Sequence, residues 1–227
     1  MNEEKNSAAA SWSGGKDSCL AVWRASQQGA HVRTLLTMFD EQGERSRSHG
    51  LPPSLLAAQA AAMDRKWRAG KASWRTYEEQ FIVELRKLRA DGHAQVIFGD
   101  IDLVAHREWE EKVCAIVGLE ARLPLWQQPR FPLVEEFWSV GFRAIVVCTD
   151  DRYLGPGYCG REFDRAFVES LPAGVDACGE NGEFHTFVFD GPLFSEPVAF
   201  EVTRLVPYTA PPEFGGTGYH FAELQGI

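Results

Sequence analysis

The sequence predicts an α/β fold, a Rossmann-like doubly wound parallel sheet with a smaller α+β domain behind it. Three observations carry that prediction. Apolar, strand-like runs alternate with helical patterns through the first half of the chain, as a parallel sheet requires. A glycine-rich loop, Ser13-Gly14-Gly15-Lys16-Asp17-Ser18, stands between the first run and the first helix. Beyond about residue 128 the rhythm breaks into Gly- and Pro-rich loops and isolated strands. The expected division is therefore a first domain over 1–128 and a second over 129–227.

Each element has its own justification. The apolar run 8–12 precedes the glycines, and SCLAVWRASQQG after them reads as a helix closed by Gly29. Apolar, β-branched content makes 31–39 a strand. Residues 54–63 form a helix just behind Pro52-Pro53, where proline suits a first turn. Tyr77, Phe81, Leu85 and Leu88 recur at helical spacing, so 75–90 is an amphipathic helix. Ahead of it Arg65, Lys66, Arg68, Lys71 and Arg75 read as a solvated basic face, with a phosphate or RNA contact as the lesser reading. Residues 94–101 make a buried strand, and Trp109, Val113, Ile116 and Val117 line one face of a helix ending at Gly118. A further strand is expected over 121–126. In the second part, 133–140 and 161–171 read as helices and 142–150 as a strand. Alternation over 199–206 predicts a strand pairing back on 184–189, while the tail, APPEFGGTGYHFAELQGI, is too rich in Gly and Pro to assign.

Composition narrows the function. Hydrophobic residues at 44% and charged residues at 24% are ordinary for a 227-residue globular chain with a sizeable core. A net charge of −9 and a pI near 5.2 exclude a protein that grips nucleic acid by bulk electrostatics. The five cysteines include no C-x-x-C pair, so they form neither a disulfide framework nor a zinc site. The first residues lack the basic-then-apolar pattern of a signal peptide, and no apolar stretch is long enough to span a bilayer. A cytoplasmic location with no membrane partner is expected.

In open parallel sheets, ligands bind beyond the carboxyl ends of the strands. The glycine loop and the segment Gly99-Asp100-Ile101 both lie there. The loop is not a Walker A motif, because Asp17 follows Lys16 and Ala10 stands where the first glycine would be. Its chemistry still points to phosphate. Gly14 and Gly15 let amides approach an anion, the following helix aims its free N–H groups at the same point, Ser13 and Ser18 add hydroxyls, and Lys16 adds a charge. Asp17 would repel a phosphate, so it is expected to cap the helix and to assist Mg²⁺.

Residues 13–18 match in full the S-G-G-x-D-S signature, and the loop resembles the pyrophosphate loop of the N-type ATP pyrophosphatases, a HUP-type fold. The resemblance implies an ATP site at Ser13, Gly14, Gly15, Lys16, Asp17 and Ser18, with Lys16 and Asp17 catalytic. It also implies cleavage between the α and β phosphates, which activates a carboxylate as an adenylate.

A second stretch, CGENGEFHTFVFDGPLF (178–194), joins GDI (99–101), HREWEEKVC (106–114) and LPLW (123–126) in resembling the diphthine–ammonia ligase family over about residues 8–206. The family's stretch E-G-G-E-[YF]-E-T-x-V-x-D-x-P-x-F is matched at Glu180, Gly182, Glu183, Phe184, Thr186, Val188, Asp190, Pro192 and Phe194. Asn181 replaces a glycine and His185 a glutamate. The resemblance implies an ATP-dependent amide ligase that takes ammonium as donor and releases AMP and pyrophosphate. In archaeal and eukaryotic members the acceptor is carried by elongation factor 2. Glu183 is the first candidate to bind ammonium and take its proton, and Glu180 the second, with Gly182, His185 and Thr186 completing that site. The structural alternative for 180–186 is an Asn-Gly turn entering a strand, with solvated glutamates. Strand alternation from 183 would put Glu183 and His185 on one face, either as a base pair or with a structural histidine.

Gly99 and Asp100 are expected at the nucleotide, unless Asp100 only caps the next segment. His49 is expected to reach the ATP site, as family members also carry a histidine there, with a loop histidine of no role as the alternative. Mg²⁺ should arrive with ATP rather than in a protein cage, assisted by Asp17 or Asp100. Two other classes remain. One is another adenylating pyrophosphatase acting on a small-molecule carboxylate or on tRNA. Against tRNA stand the isolated cysteines and the acidic charge, so no nucleic-acid partner is expected. The other is a non-catalytic nucleotide-binding protein, against which the intact loop argues.

Overall fold

In a computed structural model of the chain, the structure describes residues 6–47, 49–211 and 216–227. Residues 1–5 and 212–215, which belong to the N-terminal and tail readings above, lie outside the described residues. Strand and helix alternate as β1 (Ser7–Ser11), α1 (Lys16–Gln27), β2 (His31–Phe39), α2 (Pro53–Ala62), β3 (Lys66–Lys71), α3 (Tyr77–Ala90), β4 (Gln95–Ile97), α4 (Val104–Val117) and β5 (Glu120–Arg122). The five strands are parallel, in the order β3-β2-β1-β4-β5.

The sheet is doubly wound because its residues alternate between two apolar layers. Ala8 and Ala10 pack with α1 and α2, whereas Ala9, Val96 and Phe98 pack with α3 and α4. Three consecutive alanines at the sheet's centre, each fully buried, leave room for helices to approach from both sides.

The chain continues through α5 (Arg130–Ser139), β6 (Arg143–Asp150), α6 (Arg165–Glu169), β7 (Phe184–Asp190), β8 (Phe200–Thr209) and β9 (Gly218–Gly226). These last four strands form an antiparallel sheet in the order β7-β6-β9-β8. Its inner side chains, among them Val146, Phe187 and Ala222, share one apolar cluster with α1, α2 and α5.

Several expectations need correction. The basic run 65–75 contains β3, an edge strand whose lysines and arginines suit a border exposed to water. The strand expected over 94–101 is only Gln95–Ile97, because the chain leaves the sheet to build the ligand edge. The strand expected over 121–126 is Glu120–Arg122, followed by a turn in which the Trp126 amide donates to the Leu123 carbonyl. Ile116 lies on the exposed side of α4, at 53% exposure. The helix expected over 161–171 shortens to five residues, since Glu162 bridges to Ile145. β8 pairs with β9 rather than with β7, because the unassigned tail supplies a nine-residue strand between β6 and β8.

Candidate active site

The loop after β1 closes tightly. Gly14 has φ +80, and a Cβ there would stand 2.6 Å from Leu56 Cδ2, so only glycine fits both the backbone and the space. Gly15 is the N-cap of α1 and no side chain caps that helix. Asp17, expected as the cap, is the second helical residue. Its carboxylate accepts from Lys16 Nζ at 2.8 and 2.7 Å instead. Ser13 Oγ and Ser18 Oγ lie 3.1 Å apart, and the first amides of α1 have no acceptor within the helix.

β7 fixes this loop from the other sheet. The Lys16 amide donates to Thr186 Oγ1 (3.0 Å), and the Val188 amide donates to the Gly14 carbonyl (2.9 Å). Gln59, fully buried on α2, donates to the carbonyls of Gly14 and Val188 at 3.0 and 2.6 Å and accepts from Trp12 Nε1 at 2.9 Å. Nothing in the sequence marks Gln59, a glutamine within an alanine-rich helix, as the residue that joins the two sheets. Gly99 brings in the loop after β4. A Cβ there would meet the backbone of Asp17 and Ser18 at 2.9 Å.

These elements enclose a cavity of about 880 Å³. Its wall includes Ser13, Lys16, Asp17 and Ser18 from the loop, His49, Gly99 and Asp100 from the first sheet, and Glu180, Gly182, His185 and Thr186 from the second motif. Glu183 is not among the lining residues and is fully buried. It accepts from the Asp176 amide (3.1 Å), the Asn181 amide (2.9 Å) and Asn181 Nδ2 (2.8 Å). The first candidate base is thus the staple of its own loop. Asn181, one of the two departures from the family stretch, is part of that staple. Glu183 and His185 form no pair, since Glu183 precedes β7 and turns back into the loop.

Glu180 faces the cavity in its place, with Oε1 3.8 Å from Lys16 Nζ. Its amide donates to Asp176 Oδ2, and Asp176 is held by Arg130, which also binds both oxygens of Asp102. Burial and the neighbouring Asp17 charge push the Glu180 carboxyl up to about 8. Burial also raises Asp17, against the pull of Lys16, while Lys16 stays charged because Asp17 and Glu180 outweigh its desolvation.

The rings of His49 and His185 lie against each other, centroids 4.7 Å apart and tilted by 35°. His49 Nδ1 donates to the Thr186 carbonyl at 2.7 Å. Burial lowers His49 to about 4, and burial beside His49 lowers His185 to about 3, so both rings are neutral at pH 7. Asp100 accepts from His106 Nδ1 (2.8 Å). Among the described residues, Asp17, Cys178 and Glu180 form the group whose ligand atoms converge within 4.8 Å as a metal site would need. No described helix is long and apolar enough to cross a membrane.

Fold and cavity together define a class: a parallel α/β protein with a glycine loop at the carboxyl edge of its sheet, the cradle of the cavity, and buried carboxylates facing it. Comparison with known proteins makes this narrower. The chain belongs to the diphthamide synthase family, whose N-terminal domain matches residues 6–121 and whose C-terminal domain matches residues 130–205. It is similar to the diphthine–ammonia ligase of Rattus norvegicus, 26% identical over 226 residues that cover 87% of this chain and 84% of that protein. The diphthine–ammonia ligase of Homo sapiens is 30% identical over 105 residues, 44% of this chain and 39% of that protein. That of Schizosaccharomyces pombe is 24% identical over 221 residues, 87% of this chain and 36% of that protein.

Proposed function

We propose that the protein is an ATP-dependent amide ligase that adenylates a carboxylate, releases AMP and pyrophosphate, and transfers ammonia to the activated carbon. The observation that carries this reading is the position of buried Lys16, bonded to Asp17 in the anion cradle and 3.8 Å from Glu180 across the cavity. A cradle alone would serve any nucleotide binder; a carboxyl that changes state near neutral pH beside it serves a reaction.

Hydroxide is a poor leaving group from a carboxylate and AMP is a good one, so activation comes first. The amides at the start of α1, the hydroxyls of Ser13 and Ser18, and Lys16 hold the departing β and γ phosphates. Glu180 then takes a proton from the attacking nitrogen. Arg130 and Asp176 orient Glu180 through its backbone. Mg²⁺ prefers hard oxygen ligands, and the Asp17 carboxylate fits it, which leaves Glu180 for the proton. The Cys178 thiol, pushed up to about 12 by burial, does not fit the ion. When bound, the ion would neutralise phosphate charge.

Diphthine on elongation factor 2 is the acceptor we infer from the family. A small-molecule carboxylate is the second reading, favoured by the neutral His49–His185 pair where the family stretch carries a glutamate. The test is the identity of the nucleotide products from Mg-ATP, ammonium and host lysate. AMP with pyrophosphate, dependent on ammonium and lost in Asp17→Ala, is expected; ADP with phosphate would overturn the reading.

A further inference from the structure

The cavity has a second end, built by α3 and α4, that the ligase chemistry above does not use. Glu110 projects from α4 onto its wall and is only 4% exposed. As a carboxylate, its Oε2 has no hydrogen-bond donor among the described residues. Its charged neighbour is Asp100, of the same sign; His106 Nδ1 meets Asp100 at 2.8 Å but makes no bond to Glu110, which still calls for a positive charge. Tyr77 and Trp109 line the same end, with ring centroids 5.9 Å apart, and Trp109 is anchored by its Nε1–H to Glu78 Oε2 (2.8 Å). The Arg47 guanidinium lines the cavity too, but it stacks 4.6 Å over Trp74 and donates to the Ala72 carbonyl, and among the described residues it makes no bond to Asp100 or Glu110.

We propose that this end of the cavity is a subsite for an ammonium group, held between Asp100 and Glu110 beside the rings of Tyr77 and Trp109. Carboxylates and aromatic rings together are the surroundings in which a desolvated ammonium is stable. A divalent metal fits worse, because Asp100, His106 and Glu110 do not converge as the Asp17, Cys178 and Glu180 group does. Without the cation a proton takes its place. Burial and Asp100 push the Glu110 carboxyl up to about 10, and its neutral form donates to Asp100. What the ammonium is for rests on the ligase reading: it is either the free nitrogen donor or an amino group on the acceptor.

The test reads binding, not turnover. Crystals soaked in thallium(I) acetate, whose cation has the charge and about the size of ammonium, should show an anomalous peak between Asp100 and Glu110 that Glu110→Gln removes. No peak there in the wild type, or an undiminished peak in the variant, overturns the proposal. In solution, ammonium chloride should raise the thermal midpoint above that in sodium chloride of equal ionic strength, and Glu110→Gln should erase the difference. Equal wild-type midpoints overturn the proposal too. Propylammonium chloride separates the sources: stabilisation by ammonium alone identifies the donor, and stabilisation by both identifies an acceptor amine. Assaying AMP and pyrophosphate on the same samples keeps the two ideas apart, since a wild type that binds the cation yet forms ADP loses the ligase reading and keeps the subsite.

Discussion

The two ends of the cavity are built in opposite ways. At the cradle end the backbone of residues 14–16 is bonded to Gln59, Thr186 and Val188, so the loop holds its shape before any ligand arrives. At the α4 end a buried carboxyl oxygen on Glu110 is left without a donor. A preorganised site loses little on binding, whereas at the α4 end a cation must first displace the proton that Glu110 and Asp100 share. The cradle is therefore the part whose disruption should stop the chemistry, and the α4 end the part whose disruption should change what is bound.

The largest expected effect tests the cradle directly. Lys16→Ala should lower ATP turnover by at least about a hundredfold, the scale for losing one group that stabilises developing charge. Retained turnover in a product assay would place the chemistry elsewhere. Gln59→Leu comes next. It removes one of the two donors to the Gly14 carbonyl and the side-chain donor to the Val188 carbonyl, leaves the Trp12 indole N–H without its acceptor, and should cost about 2 kcal/mol in urea unfolding. A shift under about 0.5 kcal/mol would mean that the two sheets hold the loop without it.

The paired glutamates give a subtler contrast. Glu183→Ala should unfold at lower denaturant because three donors lose their acceptor, while Glu180→Gln should keep its midpoint at neutral pH and lose turnover. If the two phenotypes are exchanged, the assignment of base and staple is reversed. The pH profile sharpens this. Glu180 is protonated up to about 8 in the folded protein against 4.5 ordinarily. Its base form accumulates above about 8, so wild-type turnover should rise through that range and the variant's should not. Stability runs the other way, since the folded state binds the extra proton: the carboxyl's contribution is full below 4.5 and falls as pH rises toward about 8. The smallest effect is expected for Asn181→Gly, which removes one of the three bonds to Glu183 and should cost about 1 kcal/mol by the same unfolding measurement.

How much of this could be read from the sequence follows from the same division. The cradle is continuous in the chain, so its glycines, lysine and serines announce it, and β2 is legible because its apolar run covers its full length. β3 was hidden by the charges an edge strand carries, and β9 by the glycines at both of its ends. The motif around 180 marks the right loop but not which glutamate turns inward; that is decided by Asn181, Asp176 and the turn at Gly182. Glu110 gives no signal at all, because in HREWEEK it looks like any acid on a solvated helix. Only the packing of α4 against α3 turns it inward.

Fastening the Gly14 carbonyl and the Lys16 amide to β7 has a mechanical consequence. A fragment ending near residue 128 would carry every letter of the glycine-loop motif and still lack the bonds to β7 that hold its shape. The loop behaves like the string of a bow whose two limbs are the two sheets. Any motion that parts the sheets breaks the Lys16–Thr186 and Val188–Gly14 bonds and frees the loop from its shape.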